Sequence, residues 1–398
     1  MTHLLAAFLL LLATLAWFLL ALLPAICELV SRTDIEPLRL SPEAADIRFF
    51  AQSFRRYVNE NLERLRAAAA DHVCAIVELE RDTAWYASPA SGVKRVFEGC
   101  HGSTPLDKLV AIAEGNIRVS DDFVMAREIF AGGSLHGGAR AMFRALLVEH
   151  DATLGAETTV VRWADAGHTL TVGQNSTLYG RASAGNIMML AEGTRFERLA
   201  APRIVFGSSE PEDEDGRVAR KRRLGRATYM TFQPPDNAVV SEGRWALEGD
   251  LHVPGGHVVN SDLVLTGALT VGRGAKIEGA VRAHTVRAAD DCIFSRSIVA
   301  EKHLSVGAHC HITGPIAVEG EAVIGDGCRV GEVGDETTIS AIKIRVGRRV
   351  ELSGEIWARS LGMVVPAEFH DADEISRPKA VEGRTAVLPP SREPARSR

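Results

Sequence analysis

Histidine is the residue type in this chain whose placement best suits general base catalysis. Four candidates lie in the carboxyl-terminal half: His284, His303, His309 and His311. His309 and His311 flank Cys310, so an inward-facing Cys310 on a strand would direct both histidines outward. A general base must also reach its substrate in a cleft. The sequence has no extended loop that would bring a carboxylate to these histidines, which favours solvent-facing side chains without a catalytic role.

Cysteine spacing does not predict a metal site. Cys292, Cys310 and Cys328 lie 18 residues apart, whereas Cys27, Cys74 and Cys100 follow no such spacing. Neither a CxxC motif nor a zinc-type His/Cys pattern occurs. Three cysteines in one column cannot all pair with one another, and free thiols are common in protein interiors. We therefore expect buried core cysteines and a reducing compartment.

Glycine-, serine- and aspartate-rich stretches also lack the context of catalytic motifs. Gly132-Gly133-Ser134 and Gly207-Ser208-Ser209 do not match the G-x-S-x-G turn of a nucleophile elbow, and no phosphate-binding glycine loop occurs. Asp121-Asp122 and Asp290-Asp291 fall at turn positions, where aspartate commonly caps the backbone. The sequence predicts no catalytic, cofactor-binding or metal-binding residue, and its net charge of −6 argues against general nucleic-acid binding.

Many of these residues belong to a repeat of 18 residues that runs from Leu251 to Ala358. Each repeat consists of three groups of six residues, and this period predicts the strands on which the residues lie. Stacked repeats give apolar columns with separations of 18, 17, 18 and 18: Leu251/Leu269/Val286/Leu304/Ala322, Val253/Val271/Ala288/Val306/Ile324 and Val259/Ile277/Phe294/Ile312/Val330. Coils of three short strands, with alternate side chains in a shared interior, explain this period. An amphipathic helix would repeat about every 3.6 residues. The sequence therefore predicts a β-helix, with Gly272, Gly307 and Gly325 at corners.

A weaker repeat with the same period occupies residues 117–206. Its columns are Ile117/Leu135/Ala152/Leu170/Met188 and Met125/Phe143/Val160/Leu178/Phe196. Gly132-Gly133 and Gly137-Gly138 interrupt the apolar pattern, as turns at coil corners require. We predict a mainly β chain with two β-helix (solenoid) blocks, at 115–207 and 245–365.

An uncharged apolar run at Leu4–Ile26 precedes the repeats. As a helix its 23 residues would extend about 34 Å, enough to cross a hydrocarbon core of about 30 Å. A signal peptide cleaved near Leu23–Ala25 is the alternative, although Met1–His3 contains no lysine or arginine. Basic residues such as Arg32 lie only on the carboxyl side, which orients the blocks towards the cytoplasm. We expect a transmembrane anchor at residues 1–31.

A helical, mixed segment is predicted next, at residues 32–114. Apolar residues recur at helical spacing from a start at Ser41 to about Ala70. The aromatic residues of this stripe, from Phe49 to Tyr57, suit packing on the same domain more than contact with a membrane surface.

Two further segments are assigned from charge and composition. Residues 208–244 combine acidic and basic runs and predict a charged linker. Its basic cluster is a possible lipid contact: Arg220, Lys221, Arg222 and Arg223. The tail at 366–398 is rich in proline, arginine and serine, and it is predicted to be disordered.

Glycine-containing hexads in the second block resemble the repeats of bactofilins, a family of bacterial polymer-forming cytoskeletal proteins. The likeness covers about Glu248–Gly362 and rests on Ile277-Glu278-Gly279-Ala280-Val281-Arg282-Ala283, Ile312-Thr313-Gly314-Pro315-Ile316-Ala317 and Leu352-Ser353-Gly354-Glu355-Ile356-Trp357-Ala358. It implies a right-handed β-helix, end-to-end self-assembly without nucleotide, and scaffolding at the bacterial inner membrane. A full membrane span, a second block and a long helix depart from the family pattern.

Two other classes of protein stay open. Val271-Gly272-x-x-Ala275 and Ile324-Gly325-x-x-Cys328 match the rule of left-handed β-helices in hexapeptide-repeat acyltransferases, which use a histidine base. A binding module for cell-envelope or polysaccharide-synthesis partners, without polymerisation, is the third possibility.

The favoured prediction is a membrane-anchored, non-enzymatic scaffold that forms homo-oligomers or polymers. A terminal coil exposes unpaired backbone groups and a cut apolar column, which pair with another copy unless they are capped. Leu352, Ile356 and Trp357 in the last clear coil are the predicted self-assembly surface. The alternative is that Leu361–Val365 and Phe369 fold over this end as a cap.

Overall fold

The computed structural model describes residues 5, 7–17, 46–69, 74–89, 94–95, 108–207, 229–332 and 334–365. Within these residues the chain is mainly β, and its strands join in one sheet wound into a solenoid of about 13 turns. The prediction of a mainly β chain built on a β-helix is confirmed.

From β5 onward, each coil of the first block has one short strand and one longer strand, and most of the longer strands contain a bulge. Its strands are β1 (Cys74–Glu78), β2 (Thr83–Ala87), β3 (Lys94–Arg95), β4 (Leu109–Ala113), β5 (Ile117–Arg118), β6 (Val124–Ala131), β7 (Leu135–His136), β8 (Met142–Val148), β9 (Ala152–Leu154), β10 (Thr159–Ala166), β11 (Thr169–Val172), β12 (Thr177–Ala184), β13 (Ile187–Leu190) and β14 (Arg195–Phe206). Strand pairing aligns Ile117 with Leu135, Leu135 with Ala152, and Leu170 with Met188, as the weaker repeat predicts. The sheet begins before the predicted boundary at 115, because β2 and β4 already belong to it.

The second block has the stronger apolar columns. Its strands are β15 (Met230–Thr231), β16 (Val239–Ser241), β17 (Arg244–Leu247), β18 (Leu251–Val253), β19 (His257–Val259), β20 (Asp262–Leu265), β21 (Ala268–Val271), β22 (Lys276–Ile277), β23 (Val281–Ala288), β24 (Ile293–Phe294), β25 (Ile298–Val306), β26 (His311–Ile312), β27 (Ile316–Val318), β28 (Glu321–Ile324), β29 (Arg329–Val330), β30 (Thr337–Val346) and β31 (Val350–Val364). Val259, Ile277, Phe294, Ile312 and Val330 pair in sequence and are all buried, as predicted. This block also begins early, since β15 and β16 precede residue 245.

Aspartates at the coil corners bind the backbone of the next coil. Asp121 Oδ1 accepts from the Ala139 amide at 2.8 Å, and Asp290 Oδ1 accepts from the Ala308 amide at 2.8 Å. Both bonds span 18 residues, one full coil. These carboxylates therefore cap turns, as predicted. Within the described ranges no group of His, Cys, Asp or Glu side chains is placed to hold a metal ion.

A single long helix packs along the first block. Helix α1 (Phe49–Ala68) buries Ala51, Val58 and Leu65, spaced seven residues apart, against the outer face of this block. The Phe54 ring lies 5.9 Å from Trp163. Phe54 and Tyr57 of the aromatic stripe therefore pack on their own domain, as predicted, whereas Phe50 is 40% exposed. The predicted helix start at Ser41 lies outside the described residues.

The predicted membrane anchor is described only in part. Residues 7–17 are helical, and no helix among the described residues is both long and apolar enough to cross a membrane. The predicted span Leu4–Ile26 continues past residue 17, outside the described part, so it stays a prediction. The basic cluster at Arg220–Arg223 and the tail at 366–398 also lie outside the described residues.

Candidate assembly sites

The two blocks meet at their carboxyl-terminal coils. β14 and β31 pair antiparallel, whereas successive coils inside each block pair in parallel. The pairing aligns Leu199 with Ile356 and Ile204 with Leu352, and these four side chains are fully buried. The interiors of both blocks therefore form one continuous apolar core.

Polar side chains close the junction at its surface. Arg203 forms an ion pair with Glu351 at 2.6 Å, and Arg198 lies 3.5 Å from Glu355. The Arg198 guanidinium also lies over the Trp357 ring, 4.8 Å from its centroid. Because a shift of register would separate these oppositely charged partners, they fix the alignment of the two blocks.

The predicted self-assembly surface is located at this junction and must be corrected. Leu352 and Ile356 are buried against the first block of the same chain, and Trp357 is 45% exposed. Of the predicted cap, residues 361–364 continue β31 instead of folding over the end, and Phe369 lies outside the described residues. Contact with another copy through Leu352 and Ile356 would require the blocks to separate. Leu352 and Ile356 are therefore not an exposed surface in this structure.

The start of the second block is a free end of the solenoid. Among the described strands, β16 pairs only with β17, antiparallel, through the turn Glu242-Gly243 with φ values of 40° and 78°. Phe232 covers the end of the core, with its ring 6.2 Å from Trp245 and 6.0 Å from His257. The apolar core is therefore capped, while no described strand pairs with the outer edge of β16.

β16 is exposed on both of its faces. Val239 and Val240 are 69% and 55% exposed, and Met230 in β15 is 63% exposed. Consecutive strand residues point to opposite faces, so neither face of β16 packs on the solenoid. An apolar edge strand of this kind is a ready pairing site. The strand falls within the predicted linker at 208–244, although Gly243 in the two-residue turn before Trp245 is the residue type that hairpin turns favour.

The other end of the solenoid carries a hairpin and an open depression. β1 pairs antiparallel with β2, and β2 pairs in parallel with β4. The depression has a volume of about 440 Å³ and is lined by residues 78–83, Lys108 and Arg127. Arg127 forms an ion pair with Asp82, to which the Tyr57 hydroxyl donates at 3.2 Å. No histidine or cysteine lines the depression, so it presents neither candidate base nor thiol.

The four candidate histidines lie on the outer surface or corners of the second block. His309 occupies a corner with φ 61°, and His284 and His311 each have a ring nitrogen 3.5 Å from a glutamate. His303 is half-buried, and burial lowers its pKa. None of the four lines the depression at the opposite end. The depression therefore gives no support to any of the four histidines as a general base.

The cysteine column is buried, as predicted. Cys292, Cys310 and Cys328 are free thiols inside the solenoid. The Cys292 thiol donates to the Gly272 carbonyl at 3.2 Å, a carbonyl of the preceding coil. The hydrogen bond with Cys310 and burial raise the pKa of Cys292. Since the thiolate is the nucleophile, these cysteines are structural rather than reactive.

Asp165 on β10 is a buried carboxylate that sequence reasoning missed. It is 4% exposed beneath α1, and the Ser183 hydroxyl donates to it at 2.6 Å. Arg48 and Arg55 lie 3.3 and 3.7 Å away. Burial raises the pKa of Asp165 in spite of these cations. Because two arginines close over it, we assign Asp165 to docking of the helical segment rather than to catalysis.

Comparison with known proteins does not assign the chain to a family. No family model, no curated protein and no solved structure matches the chain. What the fold defines is a β-solenoid protein, a class that includes both repeat-based scaffolds and hexapeptide-repeat proteins.

Proposed function

We propose that this protein is a non-enzymatic structural scaffold, a bactofilin-like rod held at the bacterial inner membrane by its N-terminal apolar segment. Its solenoid lies on the cytoplasmic side and self-associates through the free end of the second block. The observation that carries the proposal is the exposed edge of β16 at the end of one continuous solenoid core. The resemblance of the second block to bactofilin repeats supports the same function.

The junction inside the chain supports the mode of assembly. At β14 and β31, two solenoid ends of this sequence already join by antiparallel strands and bury Ile356 completely. A second copy that approaches β16 about a two-fold axis would pair Val239 with Ser241 around a central Val240. Such an isologous contact satisfies the free backbone groups of both edges at once.

A two-fold contact through β16 yields a dimer of rods. Extension into a polymer needs a second contact at the first-block end, where β1 is the outermost described strand. We therefore expect dimers at low concentration and longer assemblies only when both ends are engaged.

The test compares Val240→Lys with Val124→Lys in the full chain in mild detergent. Val124 is 65% exposed on β6, an inner strand that is already paired, so it is the matched control. Wild type and Val124→Lys should dimerise with increasing concentration in sedimentation velocity. Val240→Lys should weaken dimerisation about tenfold or more, because two lysines would face each other across the axis. A wild-type chain that stays monomeric throughout would contradict the proposal.

Two outcomes of related experiments would favour the other classes. A stoichiometric cell-envelope partner recovered with a monomeric chain would favour a binding module. Acetyl-CoA protection of His309 or His311 from chemical modification, with transferase activity lost on their substitution, would favour a hexapeptide-repeat acyltransferase.

A further inference from the structure

Large exposed side chains gather at the middle of the solenoid, beside the junction of the blocks. This central patch consists of Phe50, Arg162, Tyr179, Arg181, Trp357 and Leu361, and its four apolar or aromatic members are between 40% and 49% exposed. Strand register makes them neighbours, since Arg181 is aligned with Arg198, which is aligned in turn with Trp357. Contiguous exposed apolar side chains of this kind mark an interaction surface.

Arg162 and Arg181 in the central patch form no ion pair with a carboxylate of the described residues, and Asp46 is the described carboxylate whose charge acts on Arg181. Arg162 and Arg181 lie over the Phe50 ring, with guanidinium carbons 5.8 and 5.1 Å from its centroid. Arg181 donates to the backbone carbonyl of Asp46 at 2.9 Å, and neither arginine has an ion pair with a described carboxylate. Burial, together with the charge of Arg198, lowers the pKa of Arg181. An anion from outside the chain would complement these two cations.

The chain also enters the solenoid at the central patch. Asp46, the first residue described after the N-terminal helical segment, is held there by Arg181. Helix α1 then runs away towards the first-block end, where Arg66 pairs with Glu114 at 2.5 Å. In the helical segment Phe8 and Trp17 are 59% and 77% exposed. The apolar N-terminal segment thus precedes, in the chain, the residue at which the described solenoid domain begins beside the patch, and residues 18–45 between them lie outside the described part.

We propose that the central patch is the surface by which the solenoid lies against a bilayer containing anionic phospholipid. The inference rests on the proposed membrane anchoring and adds the orientation of the rod. Arginine head groups bind lipid phosphates while aromatic rings settle at the headgroup level, which is the usual arrangement of such side chains at membrane interfaces. Because the patch is midway between the ends, the rod lies along the membrane and leaves β16 free.

The experiment reconstitutes the full chain into vesicles of phosphatidylcholine, with or without phosphatidylglycerol, that contain a lipid brominated near the headgroup. The fluorescence of Trp357 is obtained by subtracting the spectrum of the Trp357→Phe variant. We expect quenching of Trp357 in vesicles with phosphatidylglycerol and little quenching in phosphatidylcholine alone. Trp245, buried at the far end of the second block, should be unaffected in both.

The arginines provide the decisive variants. The double variant Arg162→Gln, Arg181→Gln should lower the ratio of docked to undocked solenoid about thirty-fold. Each basic residue near an anionic surface favours the docked state about five-fold, and the two effects multiply. The matched control is Arg273→Gln with Arg282→Gln, whose side chains are 74% and 66% exposed on the second block. Its quenching should equal that of the wild type.

Three outcomes would overturn the inference, and each has a different meaning. A chain that floats with the vesicles while Trp357 stays unquenched overturns the membrane-facing patch and leaves the anchor intact. A chain that does not float overturns the anchoring in the proposed function as well. If soluble dextran sulfate reduces the access of a water-soluble quencher to Trp357, and the Arg162→Gln, Arg181→Gln double variant loses this effect, the patch binds an anionic polymer. Together with the absence of quenching by the brominated vesicles, this result would assign the patch to an acidic polysaccharide.

Discussion

Truncation of Ile356 tests whether the two blocks are joined in solution. Ile356 lies in an isoleucine column with Ile298, Ile316 and Ile339, and β14 places Leu199 opposite it. Both Ile356 and Ile298 are fully buried. Ile298→Ala, in the middle of the second block, is therefore a matched control with the same residue type, column and burial.

The magnitude follows from the burial at the junction. Replacing a buried isoleucine with alanine removes apolar contacts and leaves a cavity, at a cost of about 2–5 kcal/mol. If the end of the second block were open to solvent, Ile356 would be half covered and truncation would cost about 1 kcal/mol or less. The structure therefore predicts that Ile356→Ala and Ile298→Ala destabilise the chain to a similar extent.

Guanidinium unfolding of the full chain in mild detergent, followed by circular dichroism, measures the difference. The midpoint of the first transition should fall comparably in both variants, because the junction is part of one core. A large fall for Ile298→Ala with almost none for Ile356→Ala would refute the antiparallel junction. It would restore Leu352 and Ile356 as an open end available to another copy.

Two further predictions concern a coil corner and a half-buried histidine. Gly185→Ala should destabilise the first block by about 1–3 kcal/mol in thermal unfolding, because a Cβ would lie 1.9 Å from the Gly167 carbonyl oxygen. Gly137→Ala is the milder control, since its Cβ would meet only side-chain atoms, of Leu154 at 3.3 Å and of Phe143 at 3.4 Å, and equal losses would contradict the steric argument. Burial lowers the pKa of His303 from 6.5, so the unfolded chain takes up a proton first and stability falls as the pH drops below that value. His303→Gln should reduce the loss of stability between about pH 7.5 and pH 5.5, and unchanged pH dependence would refute the assignment.

The coils were predictable because each inward position repeats its chemical character. Leu269, Val286 and Leu304 share a column in the sequence and become stacked neighbours, since parallel coils in register place residues about 18 apart side by side. The same arithmetic found the first block in spite of its more polar columns.

The junction could not be found in this way. Periodicity reports the register between successive coils, but it contains no signal for a contact between Leu199 and Ile356, which are far apart in sequence and run antiparallel. Leu352 and Ile356 therefore resembled an open end. The buried Asp165 was missed for a related reason, since its burial depends on the docking of a separate helix.

The antiparallel meeting of the blocks has a consequence for any assembly built from this rod. Along the solenoid axis the chain advances in opposite directions in the two blocks, so both outer ends are formed by the beginning of a block. A fibre in which each rod contacts its neighbours through like ends would have no structural polarity, and therefore no plus or minus end. Such a fibre would hold bound partners at defined positions along its length, but it would not define a direction for them.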